Sequence, residues 1–441
     1  MGATYKTLSV AGDMGAWIRK VIVDLPVEVG ANDVDDASFG VYVERIDPET
    51  GEVALSREHH GDPVARPSKG YPTVEAAYVC DEAGRPADRG SHVAFDLIEE
   101  RLSKRFDGNV MGTKRRIANY RITQLKALPG SEPGEKVVGL VFDECAGDIF
   151  PELEGWDTTG FGTFDGIDMH YALFSPDVQK VNARRTASPF GAKEPLPQKL
   201  PLIVWLHGAG EGGDDPFVTI CGNKVTGLSS EHVQDVMGGA AYVLAPTCPT
   251  YWMDDGVTPI AQTNVSIYTK AVKACVDAVV ASHDIDPDRI YVGGDSNGGF
   301  MTMRQIIDYP DFYAAAVPAC SPFYSRNVTD EYLDRLKGQH IWFVHSDDDE
   351  IVDPTQTALP IYHRLKAAGA TDVHLTYYDH VEDLSGRYTD DDGCHLRHMG
   401  HMVWVPLYDD YPKTELDGSR VMVDGRPVTV WQWCGLQRRS Q

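Results

Sequence analysis

Apolar and polar residues alternate over short stretches in the first third of the chain, at Trp17 to Leu25, Phe39 to Ile46, Val74 to Cys80, His92 to Ile98 and Ala118 to Leu125. A period of two sets one face of a strand against a core and the other against water. Turn-forming groups such as Asp47-Pro48-Glu49-Thr50-Gly51 and Asp81-Glu82-Ala83-Gly84-Arg85-Pro86 separate these stretches, and no long amphipathic helix intervenes. The region reads as a small all-β sandwich, with Trp17, Tyr42, Tyr71 and Tyr78 expected in its core rather than on a sugar-binding platform. Glu58-His59-His60 reads as a polar loop, not a metal site. Pro129 to Gly134 reads as a linker, which divides an all-β domain at 1–134 from a second domain at 135–441, with 135–160 left as a transition.

Beyond that point the pattern changes. Leu202 to Leu206, Ala241 to Leu244, Ile290 to Val292, Ala314 to Val317 and Ile341 to Val344 are short, nearly continuous apolar runs, as expected for parallel strands covered on both faces, and Val373 to Tyr378 reads as the strand that follows. Helical periods lie between them, at Tyr268 to Ser282 and in the Phe300, Met303, Ile306, Ile307 face that Pro310 closes. The alternation predicts an α/β domain with a mainly parallel sheet, whose ligands collect at the carboxyl ends of the strands.

One strand-to-helix junction carries candidate chemistry. The run Arg289 to Gly293 meets Gly294-Asp295-Ser296-Asn297-Gly298, a Gly-x-Ser-x-Gly pentapeptide that reads as a nucleophile elbow. Chance alone would supply such a pentapeptide about 0.2 times in a chain of this composition, so its context decides. A serine hydroxyl needs a base to take its proton and a third group to hold that base. Downstream, Ile341 to Val344 ends in His345-Ser346-Asp347-Asp348-Asp349-Glu350, where Asp349 is the preferred acid and Asp347 its competitor. After the next strand, His401 in Gly400-His401-Met402-Val403-Trp404 is the preferred base over His398 and His380. The spacing of His395, His398 and His401 also admits a metal site, disfavoured for want of a fourth ligand. His207-Gly208-Ala209-Gly210-Glu211-Gly212-Gly213 follows the first long strand of the domain, and the amides of Ala209 and Asn297 are the candidate oxyanion donors. Tyr251 and Trp252, in the loop after the next strand, together with Asp295 and Trp404, are candidate substrate-binding residues.

These motifs, in this order, resemble the α/β-hydrolase esterases that carry an N-terminal immunoglobulin-like domain, close to the polyhydroxybutyrate depolymerase, feruloyl esterase and prolyl-oligopeptidase-like group. The resemblance covers Phe164 to about Gln437 well and the first third in outline. It implies an α/β-hydrolase fold with a mainly parallel sheet, and a serine carboxylesterase in which Ser296, His401 and Asp349 form the triad. No cofactor or metal is expected. A serine peptidase and a non-catalytic binding protein on the same fold are the alternatives. The stretch from Val381 to Gly400 departs from the pattern as an insertion, either a lid or a surface loop.

Charge and cysteine content narrow the surroundings. Forty basic against sixty-six acidic residues give a formal charge of −26, which repels nucleic acid and anionic membranes. The expected partner is a small ester, with self-association through the N-terminal domain open. No apolar run reaches membrane-spanning length and no leader pattern opens the sequence, so a cytoplasmic protein is expected. Eight cysteines lie scattered without a Cys-x-x-Cys pair and are expected as reduced, mostly buried thiols.

Overall fold

A computed structural model describes residues 3–13, 15–56, 64–101, 103–107, 110–187, 193–384, 389–390 and 392–439, with side chains omitted over 99–112. The Glu58-His59-His60 loop lies outside the described residues. The chain forms two compact units, residues 1–154 and 155–441, which divide inside the stretch that the sequence left as a transition.

In the first unit, the strand Phe39–Ile46 buries every second residue as far as Val43, and so does Ala3–Gly12 over most of its length, as the alternating pattern requires. Eight strands form one hydrogen-bonded ladder, in the order 69–70, 39–46, 117–124, 141–149, 3–12, 15–30, 89–101 and 74–80. The ladder folds over on itself: Phe39 and Phe95 stand five strands apart in it, yet their rings meet edge to face with centroids 5.5 Å apart. Two layers thus close on a core that includes Tyr5, Val21, Val43, Tyr120, Ile122 and Phe142. The expected aromatic core is corrected in part. Trp17 is buried, whereas Tyr71 is 79% exposed and stacks on half-buried Tyr42, because its position follows a short edge strand rather than a central one. Pro129 to Gly134 is not a linker. Leu128–Pro129 pairs with Lys136–Val137, so the prolines and glycines turn a small hairpin and the next strand, Val141–Ile149, returns to the sheet.

The second unit is built on eight strands, numbered here β1 (Trp156–Phe164), β2 (Ile167–Phe174), β3 (Leu200–Leu206), β4 (Tyr242–Thr247), β5 (Ile285–Asp295), β6 (Ala315–Ala319), β7 (Ile341–Ser346) and β8 (Val373–Tyr378). Their order is β1-β2-β4-β3-β5-β6-β7-β8, antiparallel through β4 and parallel from there on. This is the α/β-hydrolase sheet. β3 and β7 are buried at every residue, which explains their unbroken apolar runs. Helix α1 (Thr269–Ser282) buries Ala271, Val272, Cys275, Val276 and Val279 along one face, at the expected spacing. Helix α2 (Asn297–Asp308) is buried from Asn297 to Ile307, so it is a core helix rather than an amphipathic one. Helix α3 (Ala358–Ala367) lies between β7 and β8, and two short helices, α4 (Trp404–Tyr408) and α5 (Val430–Leu436), follow β8. No described helix is long and apolar enough to cross a membrane.

Candidate active site

The β5–α2 junction is held by backbone approach that only glycine permits. A Cβ at Gly298 would stand 1.7 Å from the Leu206 carbonyl oxygen, and one at Gly294 would stand 2.5 Å from the same atom. The turn therefore presses directly on the end of β3. Ser296, at its apex, has φ +52° and ψ −115°, a strained conformation for a side-chain-bearing residue, at a cost on the order of 1–3 kcal/mol. Its amide donates to the Ala319 carbonyl at the end of β6, 2.9 Å away, and the Phe300 amide closes the first turn of α2 onto the Ser296 carbonyl.

Three side chains from three strand-end loops meet there. Ser296 Oγ lies 2.8 Å from His401 Nε2, and His401 Nδ1 lies 2.8 and 3.0 Å from the two oxygens of Asp349. Asp349 follows β7, and its Oδ1 accepts the amides of Ile351 and Val352 at 2.9 Å each, so the carboxylate is fixed by the loop that carries it. Burial alone would raise the Asp349 carboxyl, but hydrogen bonds from His345 and His401 outweigh it and hold the group well below the usual carboxylate range. Of the competing acids, Asp347 is exposed and accepts from the Tyr377 hydroxyl, while Asp348 accepts from Arg397. His380 and His395 both face Glu382, at 3.6 and 3.9 Å, and the His398 amide donates to Val381. His395, His398 and His401 thus diverge instead of forming one ligand set.

Beside the elbow, β3 runs into the glycine-rich loop through His207, which is buried and donates from Nδ1 to the Gly208 carbonyl while its Nε2 accepts the Cys248 amide. Burial pushes this imidazole down to about 4, so it stays neutral and ties the ends of β3 and β4 together. The Glu211 amide turns back onto Gly208, and half-buried Ala209 sits within that turn.

Three candidate substrate-binding residues face elsewhere. Trp252 is fully buried: its ring stacks on His207, its indole N–H donates to the His207 carbonyl, and its amide donates to Asn297 Oδ1 at 2.6 Å. Asp295 points into the core and accepts from Trp205 Nε1 and Asn223 Nδ2. Trp404 is buried behind the base, its ring at 89° to that of His401 with centroids 5.5 Å apart. These three shape the site from beneath. Only Tyr251 of the four keeps partial exposure. Sequence spacing carries no information about which side of a loop a ring takes, which is why an aromatic beside a motif read as a pocket wall. Within the insertion, Glu382 bridges to Arg397 and Thr389 to His395, so its described parts pair across like a hairpin. Residue His345, given no role from the sequence, contacts Asp349; the available signal was a polar ring at the end of an apolar strand, four positions before the acid.

Comparison with known proteins agrees with this fold. Residues 4–134 match the model of the esterase Ig-like N-terminal domain, and residues 268–334 match the prolyl oligopeptidase family. A probable carboxylesterase SOBER1-like of Arabidopsis thaliana is 28% identical over 191 residues, 38% of this chain and 68% of that protein. Poly(3-hydroxyalkanoate) depolymerase C of Paucimonas lemoignei is 48% identical over 133 residues, 28% of each chain. Among solved structures, a thermostable esterase superposes over 99% of this chain and all of its own, at 22% identity and a TM-score of 0.69, a likeness of fold.

Proposed function

We propose that this α/β hydrolase, with its esterase-type immunoglobulin-like domain, is a serine carboxylesterase acting through an acyl-enzyme. The observation that carries the proposal is the chain of short contacts from Ser296 Oγ through His401 to Asp349. Ser296 Oγ attacks the ester carbonyl carbon while its proton passes to His401 Nε2. Asp349 keeps Nδ1–H directed at itself and stabilises the imidazolium that forms. Charge then gathers on the carbonyl oxygen. The amides of Ala209 and Asn297, which donate to no other described residue, are assigned to it, at about 3 kcal/mol for each donor. Collapse of this intermediate breaks the ester C–O bond, and the alcohol leaves with the proton from His401. Water, deprotonated by the same imidazole, attacks the acyl carbon, releases the acid and returns the proton to Ser296. The names of the relatives support a carboxylic ester as the substrate.

Ser296→Ala should abolish hydrolysis of a short p-nitrophenyl ester and labelling by a fluorophosphonate, with the fold retained by circular dichroism. Full turnover by this variant would refute the assignment. The prolyl oligopeptidase match over residues 268–334 favours a second reading as a peptidase. Comparing an acyl ester with its matching anilide separates the two, and the esterase reading expects the ester to be turned over faster.

A further inference from the structure

The acid of the site is held by two imidazoles. His345, the penultimate residue of β7, is completely buried, and its Nε2 lies 3.0 Å from Asp349 Oδ2 and 3.0 Å from the Val352 carbonyl. A carbonyl only accepts, so Nε2 carries the proton and shares it between both oxygens. His345 Nδ1 is buried without a partner, so the ring is held through Nε2 alone. The other donors to Asp349 divide by oxygen. Oδ1 takes the two loop amides, whereas Oδ2, the oxygen nearer His401, takes His345. The carboxylate is clamped at both ends, and the loop from His345 to Val352 is stapled across its own mouth.

We propose that His345 is a positioning residue for the esterase reaction: it fixes Asp349 Oδ2 to the end of β7 and thereby sets how much of that oxygen's charge is directed at His401. The inference rests on the serine-hydrolase reading above. An acid held through Oδ1 alone would pivot about that oxygen, and the imidazole would lose its aim at Ser296. Misplacement of a reacting group by about 1 Å lowers the rate on the order of 100-fold.

The test uses the full chain and one soluble p-nitrophenyl ester. His345→Phe fills the volume without a donor. His345→Gln carries an amide N–H at the reach of Nε2, and His345→Asn carries one that falls short of Asp349. Phe and Asn should lower kcat about 10- to 100-fold with KM within about two-fold. Gln should recover most of the loss. With one donor gone, Asp349 directs more charge at His401 and favours its protonated form, which cannot act as base. The acid limb of kcat/KM should therefore move to higher pH in Phe and Asn and stay near that of the parent in Gln. A change in packing alone would lower the melting temperature without moving this limb or distinguishing Gln from Asn. If Phe retains parental kcat and pH profile, or if Gln and Asn behave alike, the proposal is overturned; should Phe fail to fold, the Gln and Asn pair decides. Ser296→Ala and His401→Ala, run alongside, separate the two levels. Activity in Ser296→Ala overturns the serine reading itself, whereas inactive Ser296 and His401 variants beside an unaffected His345 series overturn this inference alone.

Discussion

At the scale of single residues, the site depends on contacts too close to tolerate a methyl group. Gly298→Ala would drive a Cβ into the Leu206 carbonyl, an overlap no rotamer relieves because both partners are backbone. This variant should lose esterase activity by at least about 100-fold, measured against the same ester, since the nucleophile would shift by a substantial part of an ångström. The elbow was legible in the sequence for the same reason: glycine is the residue type that the approach demands. The meeting of Asp349 and His401 with Ser296 could be expected from their strand-end positions. Trp252 was open between a pocket wall and core packing, and it turns inward, as does Asp295, because inward or outward is a property of the neighbouring strands. His345 shows the reverse case, a polar ring whose partner is evident only once β7 and its loop are folded.

At the scale of elements, the parallel strands were legible in position but not always in extent: Val373–Tyr378 was read at its observed bounds, whereas Ile290 to Val292 is only the middle of β5, whose flanks carry polar residues that the apolar run leaves out. The segments after β8 were not legible, being held by side chains rather than by period. His374, on β8, lies 2.7 Å from both Asp372 Oδ1 and Glu415 Oε1, while Trp433 on α5 donates to the same Asp372 oxygen. His374 thus joins the edge of the sheet to the chain's last 30 residues. Burial would lower this imidazole, yet Asp372 and Glu415 outweigh burial and raise it. A raised group contributes stability in full below its unfolded value of about 6.5, and the contribution fades as pH climbs through the higher folded value. Asp372, lowered against the pull of burial by His340, His374 and Trp433, works in the opposite sense and fades in acid. The tie is thus strongest between mildly acidic and neutral pH. His374→Gln should lower the melting temperature by a few degrees at pH 6 and flatten its decline toward pH 9, as followed by differential scanning fluorimetry.

At the scale of the whole molecule, the eight cysteines sort by burial. Cys80, Cys221, Cys248, Cys275, Cys320 and Cys434 are buried, and Cys145 and Cys394 are exposed. Burial pushes the Cys80 and Cys275 thiols up to about 12, which makes thiolate scarce as well as inaccessible. Titration of the native protein with a disulfide reagent should release two equivalents rapidly and the remaining six only after denaturation. The division of the first third into strands was legible from alternation, but its closure into two layers was not, since contacts such as that of Phe39 with Phe95 join positions far apart along the chain. Light offers a view of the site that chemistry does not. The indole of Trp404 stands edge-on to His401, the ring assigned the Ser296 proton in the proposed mechanism, and protonated imidazole quenches indole emission more strongly than the neutral ring. Among the eight tryptophans of the chain, this one is placed to report optically on the charge of His401 as the acyl-enzyme forms and breaks down.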